Sequence, residues 1–331
     1  MNRVTLEPHA FFRRIPPLSD RLRDRNTATS DAIVLCHFGV PRFDRAAWSL
    51  SVDGMVARPL TLRFDDLVKY PKATVTSIHQ CAGSPIRPAE PMRRICNLTW
   101  SGARLADILA DCGPAAGAEY LWATGADFGE YEGVAVDAYV KDLPVARASV
   151  DVLIAYELNG SPLPAEHGFP ARLFIPGFYG TNSVKWLTRI TLAQRRAPGP
   201  FTTRWYNDPV RDQEGGDTGR SAPVWAIAPE SLIVAPAPDA KLPTGAACEI
   251  WGWAWADGGV RRVEVMLDET AWRAAELEPA RGREWQRFSL AWTPRARGIV
   301  RLASRAESFD GERQPEAGRR NAIHRAPIMI V

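Results

Sequence analysis

The sequence predicts an α+β fold class, in which a mixed α/β domain precedes an all-β sandwich of the immunoglobulin-like type. Its 331 residues suit two domains better than one. Helix and strand patterns are mixed in the first half, whereas short strand patterns recur at regular spacing in the last part. We therefore predict an N-terminal arm at 1–30, a mixed domain at 31–229 and the sandwich at 230–331, with a Pro- and Gly-rich junction over 195–230.

The spacing of apolar residues defines the elements of the mixed domain. Alternation over 48–54 and a buried run over 73–80 predict strands. Apolar residues on one face of 103–112, followed by Gly113 and Pro114, predict a helix and its end. Shorter patterns predict strands at 60–62, 120–124, 172–175 and 184–192, and a short helix at 64–70.

Three tryptophans alternate along one predicted strand of the sandwich. Trp251, Trp253 and Trp255 lie at every second position, so they share one face of the strand. The Asp257-Gly-Gly259 sequence that follows predicts a hairpin turn. We interpret the tryptophan face as core or domain-interface packing, and the alternative is a binding face for a sugar or a partner protein.

Composition excludes several classes of protein. The 41 basic and 38 acidic residues give a formal charge of +3, which is not the basic surface that nucleic-acid binding requires. No apolar run approaches the ~18 residues that span a bilayer, and no apolar leader follows Arg13-Arg14. The 5 cysteines are odd in number and too few for a disulfide scaffold, so we predict free thiols and a cytoplasmic location.

Two local patterns are candidates for chemistry. Cys81 follows a predicted buried strand and precedes a sharp turn, where a thiolate can act as a nucleophile or as a soft-metal ligand. The ordinary role of a cysteine is that of a small buried apolar residue. The second pattern combines His167, Arg172 and Lys185 with a Gly-rich turn at 176–180. These residue types bind phosphates and oxyanions, although the pattern matches no standard nucleotide loop.

An ordered series of short motifs resembles a known family. His37-Phe-Gly-Val-Pro41, Gln80-Cys-Ala-Gly83, His167-Gly-Phe-Pro170 and Val184-Lys-Trp-Leu187 occur in an order similar to that of the molybdopterin domain of the sulfite oxidase family. The sequence around Ile250-Trp-Gly-Trp-Ala-Trp255 resembles that family's immunoglobulin-like dimerisation domain. Each motif is weak by itself, and the resemblance rests on their order.

The resemblance implies a sulfite-oxidase-like, molybdopterin-binding catalytic domain that contains molybdenum-molybdopterin and no haem. Cys81 would be the thiolate that ligates molybdenum, for which a soft sulfur is suited. Tyr206 would lie near the oxo group of the metal, and Trp100 would line the substrate pocket. The residues implied to hold the pterin and its phosphate are His37, Asp127, His167, Arg172, Ser183, Val184 and Lys185.

The resemblance also implies a reaction and its partners. Oxo transfer at molybdenum would oxidise sulfite or a related small oxyanion, electrons would pass to a separate acceptor such as a cytochrome, and the chain would form a homodimer. Well-known members have Arg-Asn-His where this chain has Leu35-Cys36-His37, so one substrate-pocket cation is missing. Arg87 and Arg287 are the candidate pocket arginines. The alternatives are a thiol hydrolase or transferase that uses Cys81 with His167 as base, and a non-catalytic binding protein.

Overall fold

Strands dominate the structure, a computed structural model that describes residues 4–14, 17–83, 93–212, 216–267 and 271–331. The α-helices formed by these residues are α1 (Phe64–Leu67), α2 (Leu105–Cys112), α3 (Val145–Ala148) and α4 (Pro200–Thr203). None of the helices in these ranges has the length and apolar character that crossing a bilayer requires.

The strands are numbered in chain order. The first sixteen are β1 (Phe12–Arg14), β2 (Val34–Cys36), β3 (Ser49–Gly54), β4 (Leu60–Arg63), β5 (Lys72–Gln80), β6 (Ile95–Arg104), β7 (Tyr120–Gly125), β8 (Gly129–Tyr131), β9 (Val134–Val136), β10 (Val140–Pro144), β11 (Leu153–Leu158), β12 (Ser161–Pro162), β13 (Arg172–Phe174), β14 (Leu187–Ala193), β15 (Asn207–Arg211) and β16 (Asp217–Pro223). The others are β17 (Glu230–Ala235), β18 (Lys241–Leu242), β19 (Cys248–Trp255), β20 (Val260–Leu267), β21 (Ala271–Ala274), β22 (Glu276–Leu277), β23 (Gln286–Trp292), β24 (Gly298–Ser308) and β25 (Arg325–Ile330).

The chain folds into two compact units, each built from three segments. Unit 1 comprises Met1–Arg14, Val34–Val75 and Thr99–Trp225, and unit 2 comprises Ile15–Ile33, Thr76–Leu98 and Ala226–Val331. The domain limits predicted from the sequence, 1–30, 31–229 and 230–331, are continuous along the chain, whereas each unit combines three segments. The predicted limits stay a prediction. The predicted fold class is confirmed, with a mixed domain rich in strands and an all-β sandwich.

Unit 1 is organised around two sheets and one short amphipathic helix. The larger sheet has the order β10-β7-β14-β3-β4, in which β14 and β3 are parallel. In the other sheet, β11 pairs with β12, with β13 and with β6. Helix α2 buries Leu105, Ile108 and Leu109, and these side chains share one core with apolar residues of both sheets. This core packs the strands and the helix together, and the candidate site residues of unit 1 lie on these strands or in the loops that follow them.

Three predicted boundaries in unit 1 shift for local reasons. The predicted strand at 184–192 begins at Leu187, because Trp186 adopts a φ of 50° and donates its indole N–H to the Ala165 carbonyl at 2.8 Å. The predicted helix at 103–112 starts later, since Ala103 still pairs with Ile154 in the sheet. Residues of the predicted junction form α4 and the β15-β16 hairpin, which belong to unit 1.

Unit 2 contains the two sheets of the predicted sandwich. One has the order β17-β19-β23-β22 and the other β18-β25-β24-β20-β21. Buried residues such as Ile250, Val263 and Ile328, from strands of both sheets, form one core. The predicted hairpin at Asp257-Gly-Gly259 is wrong, because β19 and β20 belong to different sheets and the turn crosses from one to the other. Gly258 and Gly259 make that crossing possible with φ values of 117° and 89°.

The tryptophan face of β19 is buried within unit 2. Trp253 is 3% exposed, stacks on Trp285 with ring centroids 4.9 Å apart, and donates to the Leu22 carbonyl at 2.6 Å. Trp255 has no exposed surface and donates to the Gln80 Oε1 at 2.9 Å. The packing interpretation is therefore confirmed for these two residues, and neither offers a face to a sugar.

Gly252 is expected to be intolerant of even one added methyl group. It lies on β19, and a Cβ at this position would collide with the backbone carbonyl of Leu232 and lie 2.9 Å from the Phe288 ring. Backbone cannot yield without disturbing the β17-β19 pairing, so we expect Gly252→Ala to cost about 2 kcal/mol of unfolding free energy. Thermal unfolding followed by circular dichroism measures this loss.

Gly199→Ala is the matched control for this substitution. A Cβ at position 199 meets its nearest neighbour, Val140, at 4.0 Å, an ordinary contact. Gly199 is also the N-cap of α4, where exchanging glycine for alanine costs about 1 kcal/mol or less. Equal losses of stability in the two variants would contradict the collision argument.

Candidate functional site

His37 lies directly after β2 and is enclosed by aromatic rings. Its ring stacks on Tyr139 with centroids 5.5 Å apart and meets Phe201 edge-on at 5.0 Å. Its Nε2 lies 2.9 Å from the hydroxyl oxygen of Tyr206. Burial, together with the charge of Lys185, lowers the pKa of His37 to about 3, so the ring is neutral near pH 7. A neutral imidazole and a phenol can each donate or accept, and the pair can therefore hold a proton at the Tyr206 oxygen.

The ammonium group of Lys185 lies between β2 and the turn that contains Glu166. Its ammonium donates to the carbonyl oxygens of Leu35 and Glu166, each at 3.0 Å, and to the Cys36 sulfur at 2.8 Å. It also lies 4.1 Å from the centroid of the Trp186 ring. Burial lowers the pKa of Lys185. An ammonium has three donors, and protein atoms use all of them, so Lys185 offers a ligand its charge and no further hydrogen bond.

Arg172 joins the turn of His167 to the loop of Ser183. Its guanidinium donates to the His167 carbonyl at 3.0 Å and to the Ser183 carbonyl at 2.7 Å. Its charge lies 4.9 Å from the centroid of Trp100, which is fully buried and stacked on Phe174 at 4.5 Å. The structure therefore brings four of the sequence-predicted residues into one buried group, in which Arg172 is the central contact.

Backbone and hydroxyl groups of the predicted phosphate loop are bonded within the protein. The Ser183 hydroxyl accepts from the backbone N–H of Ile175 at 3.0 Å, and the Ser183 N–H donates to the Gly180 carbonyl at 3.1 Å. The buried Val184 accepts from the Leu173 N–H at 2.8 Å. These bonds shape the loop, while its positive character comes from Arg172 and Lys185.

Two buried polar groups of unit 1 are candidates for direct ligand contacts. His167 is 2% exposed, and among the residues that the structure describes its Nε2 has no hydrogen-bond partner. Burial and then the charges of Arg172 and Lys185 lower the pKa of His167 to about 3. Asp127 is buried as well, and burial raises its pKa to about 7 against the opposing charge of Lys185. A buried polar atom without a partner costs about 1–3 kcal/mol, which a hydrogen-bonding ligand recovers.

Glycines keep the backbone open next to these groups. A Cβ at Gly125 would lie 2.7 Å from the Asp127 Oδ1 and 2.8 Å from the Lys185 carbonyl. At Gly168 a Cβ would lie 3.1 Å from the side chains of Arg172 and Lys185, and its φ is 108°. Both positions therefore require glycine for the close approach of the loops.

Cys81 lies at the end of β5, in unit 2. Its thiol is free and partly exposed, and its sulfur accepts a long hydrogen bond from the Gly83 N–H at 3.4 Å. Its own backbone N–H donates to the Arg94 carbonyl at 2.9 Å. The backbone is thus held while the thiol remains available to a ligand. Arg87, the candidate pocket arginine of this loop, lies outside the described residues.

A buried polar network of unit 2 holds the residue before Cys81. The Gln80 amide donates to the Glu230 carboxylate and to the Asn321 Oδ1, and its carbonyl accepts from Trp255. Glu230 pairs with Arg93 at 3.0 Å, and both side chains are buried. Burial raises the pKa of Glu230 to about 8, against the smaller opposing effect of Arg93. The motifs around Gln80 and Trp255 contain two of its members, but nothing in the sequence indicated that they contact each other, because they are distant along the chain.

Arg287, the other candidate pocket arginine, lies on β23 of unit 2. Its guanidinium donates to the Glu249 carboxylate at 2.9 Å and lies 4.8 Å from the centroid of the Trp251 ring. The remaining sequence-predicted site residues apart from Cys81 and Arg87 belong to unit 1. Sequence reasoning missed Cys36 and Lys141, which contact Lys185 and Tyr206 respectively.

Comparisons with known proteins point to one family for both parts of the chain. A family model described as the oxidoreductase molybdopterin binding domain matches residues 37–201. A second, the Mo-co oxidoreductase dimerisation domain, matches residues 221–300. The two matches follow each other in the order of the two predicted domains.

Individual relatives agree with the family models. The chain is 31% identical to mitochondrial sulfite oxidase of Rattus norvegicus over 89% of its own length and 60% of that protein. It is 30% identical to the NADPH nitrate reductase of Fusarium oxysporum over 79% of its length and 32% of that protein. The crystal structure of sulfane dehydrogenase SoxCD from Paracoccus pantotrophus superposes with a TM-score of 0.78 at 26% identity, covering 93% of this chain and 82% of that one. The chain thus spans less than two thirds of these curated relatives.

Proposed function

Because the chain belongs to the sulfite oxidase family of molybdopterin-dependent oxidoreductases, we propose that it oxidises sulfite or a related small oxyanion by oxo transfer at molybdenum. Its electrons pass to a separate acceptor, such as a cytochrome. The match to a Mo-co dimerisation domain supports a homodimer. Relatives named sulfite oxidase, nitrate reductase and sulfane dehydrogenase leave the substrate to be decided by the site of this chain.

The observation that carries the proposal is the set of buried polar groups in unit 1 that a pterin would satisfy. A pterin edge offers hydrogen-bond donors and acceptors, and its phosphate is anionic. His167 and Asp127 are buried polar groups suited to such an edge. Arg172 and Lys185 use their donors within the protein but leave two positive charges beside the loop. The residues present therefore fit molybdopterin.

Each candidate residue has a distinct task in this proposal. When bound, the cofactor supplies the transferable oxo group and takes up the electrons. Cys81 provides the thiolate that ligates the metal. Tyr206 orients the substrate through its hydroxyl, and the neutral ring of His37, 2.9 Å away, holds the proton of that hydroxyl. The aromatic rings around His37 exclude water from this hydrogen bond.

The first test is elemental analysis of protein expressed with molybdate, followed by a sulfite-dependent dye-reduction assay. We expect molybdenum in near-equal amount to the protein and reduction of the dye when sulfite is added. Molybdenum without sulfite turnover would retain the cofactor and reject sulfite as substrate. Metal-free protein from cells that synthesise the cofactor would contradict the proposal as a whole.

The two alternative functions lose support in the structure. A thiol hydrolase needs a base to activate Cys81, and His167, with a pKa of about 3, is too weak for that task near pH 7. A sugar-binding sandwich needs an open aromatic face, and Trp253 and Trp255 are buried.

Tyr206→Phe is expected to lower kcat about 10- to 100-fold, because it removes the hydroxyl beside His37 and the proton it carries. Molybdenum content and the midpoint of unfolding should stay near those of the wild type. Since the pKa of His37 is about 3, the pH profile of the wild type should show no step from this histidine between pH 5 and 8. Steady-state kinetics over this pH range measure both effects.

Tyr70→Phe is the matched control for this hydroxyl. The Tyr70 hydroxyl donates to the Asp111 carboxylate at 2.6 Å at an exposed place in unit 1. Its loss should leave kcat unchanged. A Tyr206→Phe enzyme with full turnover would remove Tyr206 from the proposed site.

A further inference from the structure

Lys141 is a buried cation without a carboxylate partner in the part of the chain that the structure describes. It lies on β10 with 1% of its surface exposed, and its ammonium donates to the Phe201 carbonyl at 2.9 Å. The neighbouring carboxylate of Asp142 accepts instead from Arg196 and from the Ala197 N–H, each at 3.0 Å. Burial lowers the pKa of Lys141 to about 8, although the charge of Asp142 opposes this shift. Burying the ammonium is therefore costly, and its retention calls for a functional reason.

The position of this ammonium relative to Tyr206 suggests that reason. Its nitrogen lies 5.4 Å from the centroid of the Tyr206 ring. The Phe201 ring, next to the carbonyl that Lys141 binds, packs against His37 at 5.0 Å and against Tyr206 at 6.3 Å. Lys141 therefore belongs to the same aromatic group as the hydroxyl that is expected to meet the substrate.

Among the described residues, Lys141 and Lys185 differ in how many of their donors already bind protein atoms. Leu35, two residues before His37, carries no charge. Lys185 uses its three donors on protein atoms. Lys141 uses one of its donors on Phe201, and an ammonium has three. Its ammonium thus lies beside the Tyr206 ring with two donors that no bond among the described residues uses.

We propose that Lys141 supplies the positive charge that holds a small oxyanion at Tyr206. The inference rests on the proposed function, since it assumes that the substrate binds at Tyr206. Lys141 lies behind the aromatic ring, so it is a positioning residue that acts through its charge. In a buried setting such a charge is weakly screened, and its loss should weaken oxyanion binding about tenfold or more.

If Lys141 had a purely structural role, its replacement would have the opposite effects on stability and on substrate binding. Its replacement would lower stability and leave substrate binding unchanged. If Lys141 serves the anion instead, removing its costly buried charge leaves stability unchanged or raises it, while the affinity for the anion falls. The combination of the two readouts distinguishes the roles.

The experiment compares Lys141→Met and Lys141→Gln, which are neutral, with Lys141→Arg, which keeps the charge. Lys241→Met, at an exposed lysine of β18, is the matched control. In the molybdenum-loaded enzyme we expect KM for sulfite to rise about tenfold or more in both neutral variants, with a smaller change in kcat. Lys141→Arg should recover most of the affinity, and Lys241→Met should match the wild type.

A second readout does not depend on turnover. Inorganic sulfate is titrated calorimetrically into the metal-free protein, and thermal unfolding is recorded for each variant. We expect the sulfate Kd to rise by a factor similar to that of KM, with no loss of unfolding midpoint. If Lys141→Met fails to fold, Lys141→Gln, which can still donate to the Phe201 carbonyl, decides the question.

Failure of this inference and failure of the proposed function give different results. If the neutral variants oxidise sulfite with unchanged KM and bind sulfate with unchanged Kd, the role of Lys141 is overturned. The enzyme assignment then stays intact. Sulfate binding that depends on Lys141, in a molybdenum-loaded protein that oxidises no sulfite, would support the anion site and reject sulfite as the substrate.

Discussion

Replacing Cys81 by serine is expected to abolish molybdenum-dependent turnover while leaving the fold intact. The proposed role needs a thiolate, because a soft sulfur suits the metal and a serine hydroxyl is harder and remains protonated near pH 7. The backbone at this position is held by the bond from the Cys81 N–H to the Arg94 carbonyl at 2.9 Å, which serine retains. The thiol itself is partly exposed, and its hydrogen bond from the Gly83 N–H is long, at 3.4 Å, so we expect less than about 1 kcal/mol of stability to be lost.

The result is measured as turnover, metal content and thermal unfolding of the same preparation. We expect turnover to fall roughly a hundredfold or more, as is typical when an essential group is removed, and the part of the sulfur-to-metal charge-transfer absorption that comes from the Cys81 thiolate to disappear. Cys248→Ser is the matched control, since Cys248 is another free and partly exposed thiol of unit 2. A Cys81→Ser enzyme that keeps its turnover and absorption would remove this sulfur from the metal.

Local patterns in the sequence were sufficient for the elements near the site. The alternation over 48–54 corresponds to β3, which buries one face, and the run over 73–80 corresponds to β5, whose last four residues are all buried. His167, Arg172 and Lys185 were found as a group because they lie within one short stretch whose loops fold back on each other. The positions of these strands and the grouping of these three residues can therefore be predicted from short-range spacing, even when the tertiary fold is not known.

Contacts between distant residues could not be read in the same way. Lys141 and Tyr206 are far apart in sequence, and a lysine within a strand pattern normally indicates an exposed face, yet this one is buried. The strand expected to start at 184 begins at Leu187, since the φ of 50° at Trp186 follows from its tertiary bond to Ala165. Both cases depend on packing that arises only when the whole unit has folded.

Trp255→Ala is expected to destabilise unit 2 by about 3–5 kcal/mol, the usual cost of removing a fully buried tryptophan side chain. Its indole has no exposed surface and lies 6.5 Å from the ring of Trp285. Its N–H donates to the Gln80 Oε1, and Gln80 is the residue before Cys81. The substitution thus leaves a cavity and also releases one of the contacts that hold the end of β5.

Trp255→Phe separates these two effects, because it keeps most of the ring and removes the indole N–H. We expect a smaller loss of about 1–3 kcal/mol from the Gln80 carbonyl left without this donor. Faster alkylation of Cys81 in the metal-free protein is expected as well, since the end of β5 is held less tightly. Trp272→Ala, at a partly exposed tryptophan of β21 in the same unit, should leave the reactivity of Cys81 unchanged. If Trp255→Phe alters neither the unfolding midpoint nor the alkylation rate, the contact with Gln80 does not position the thiol.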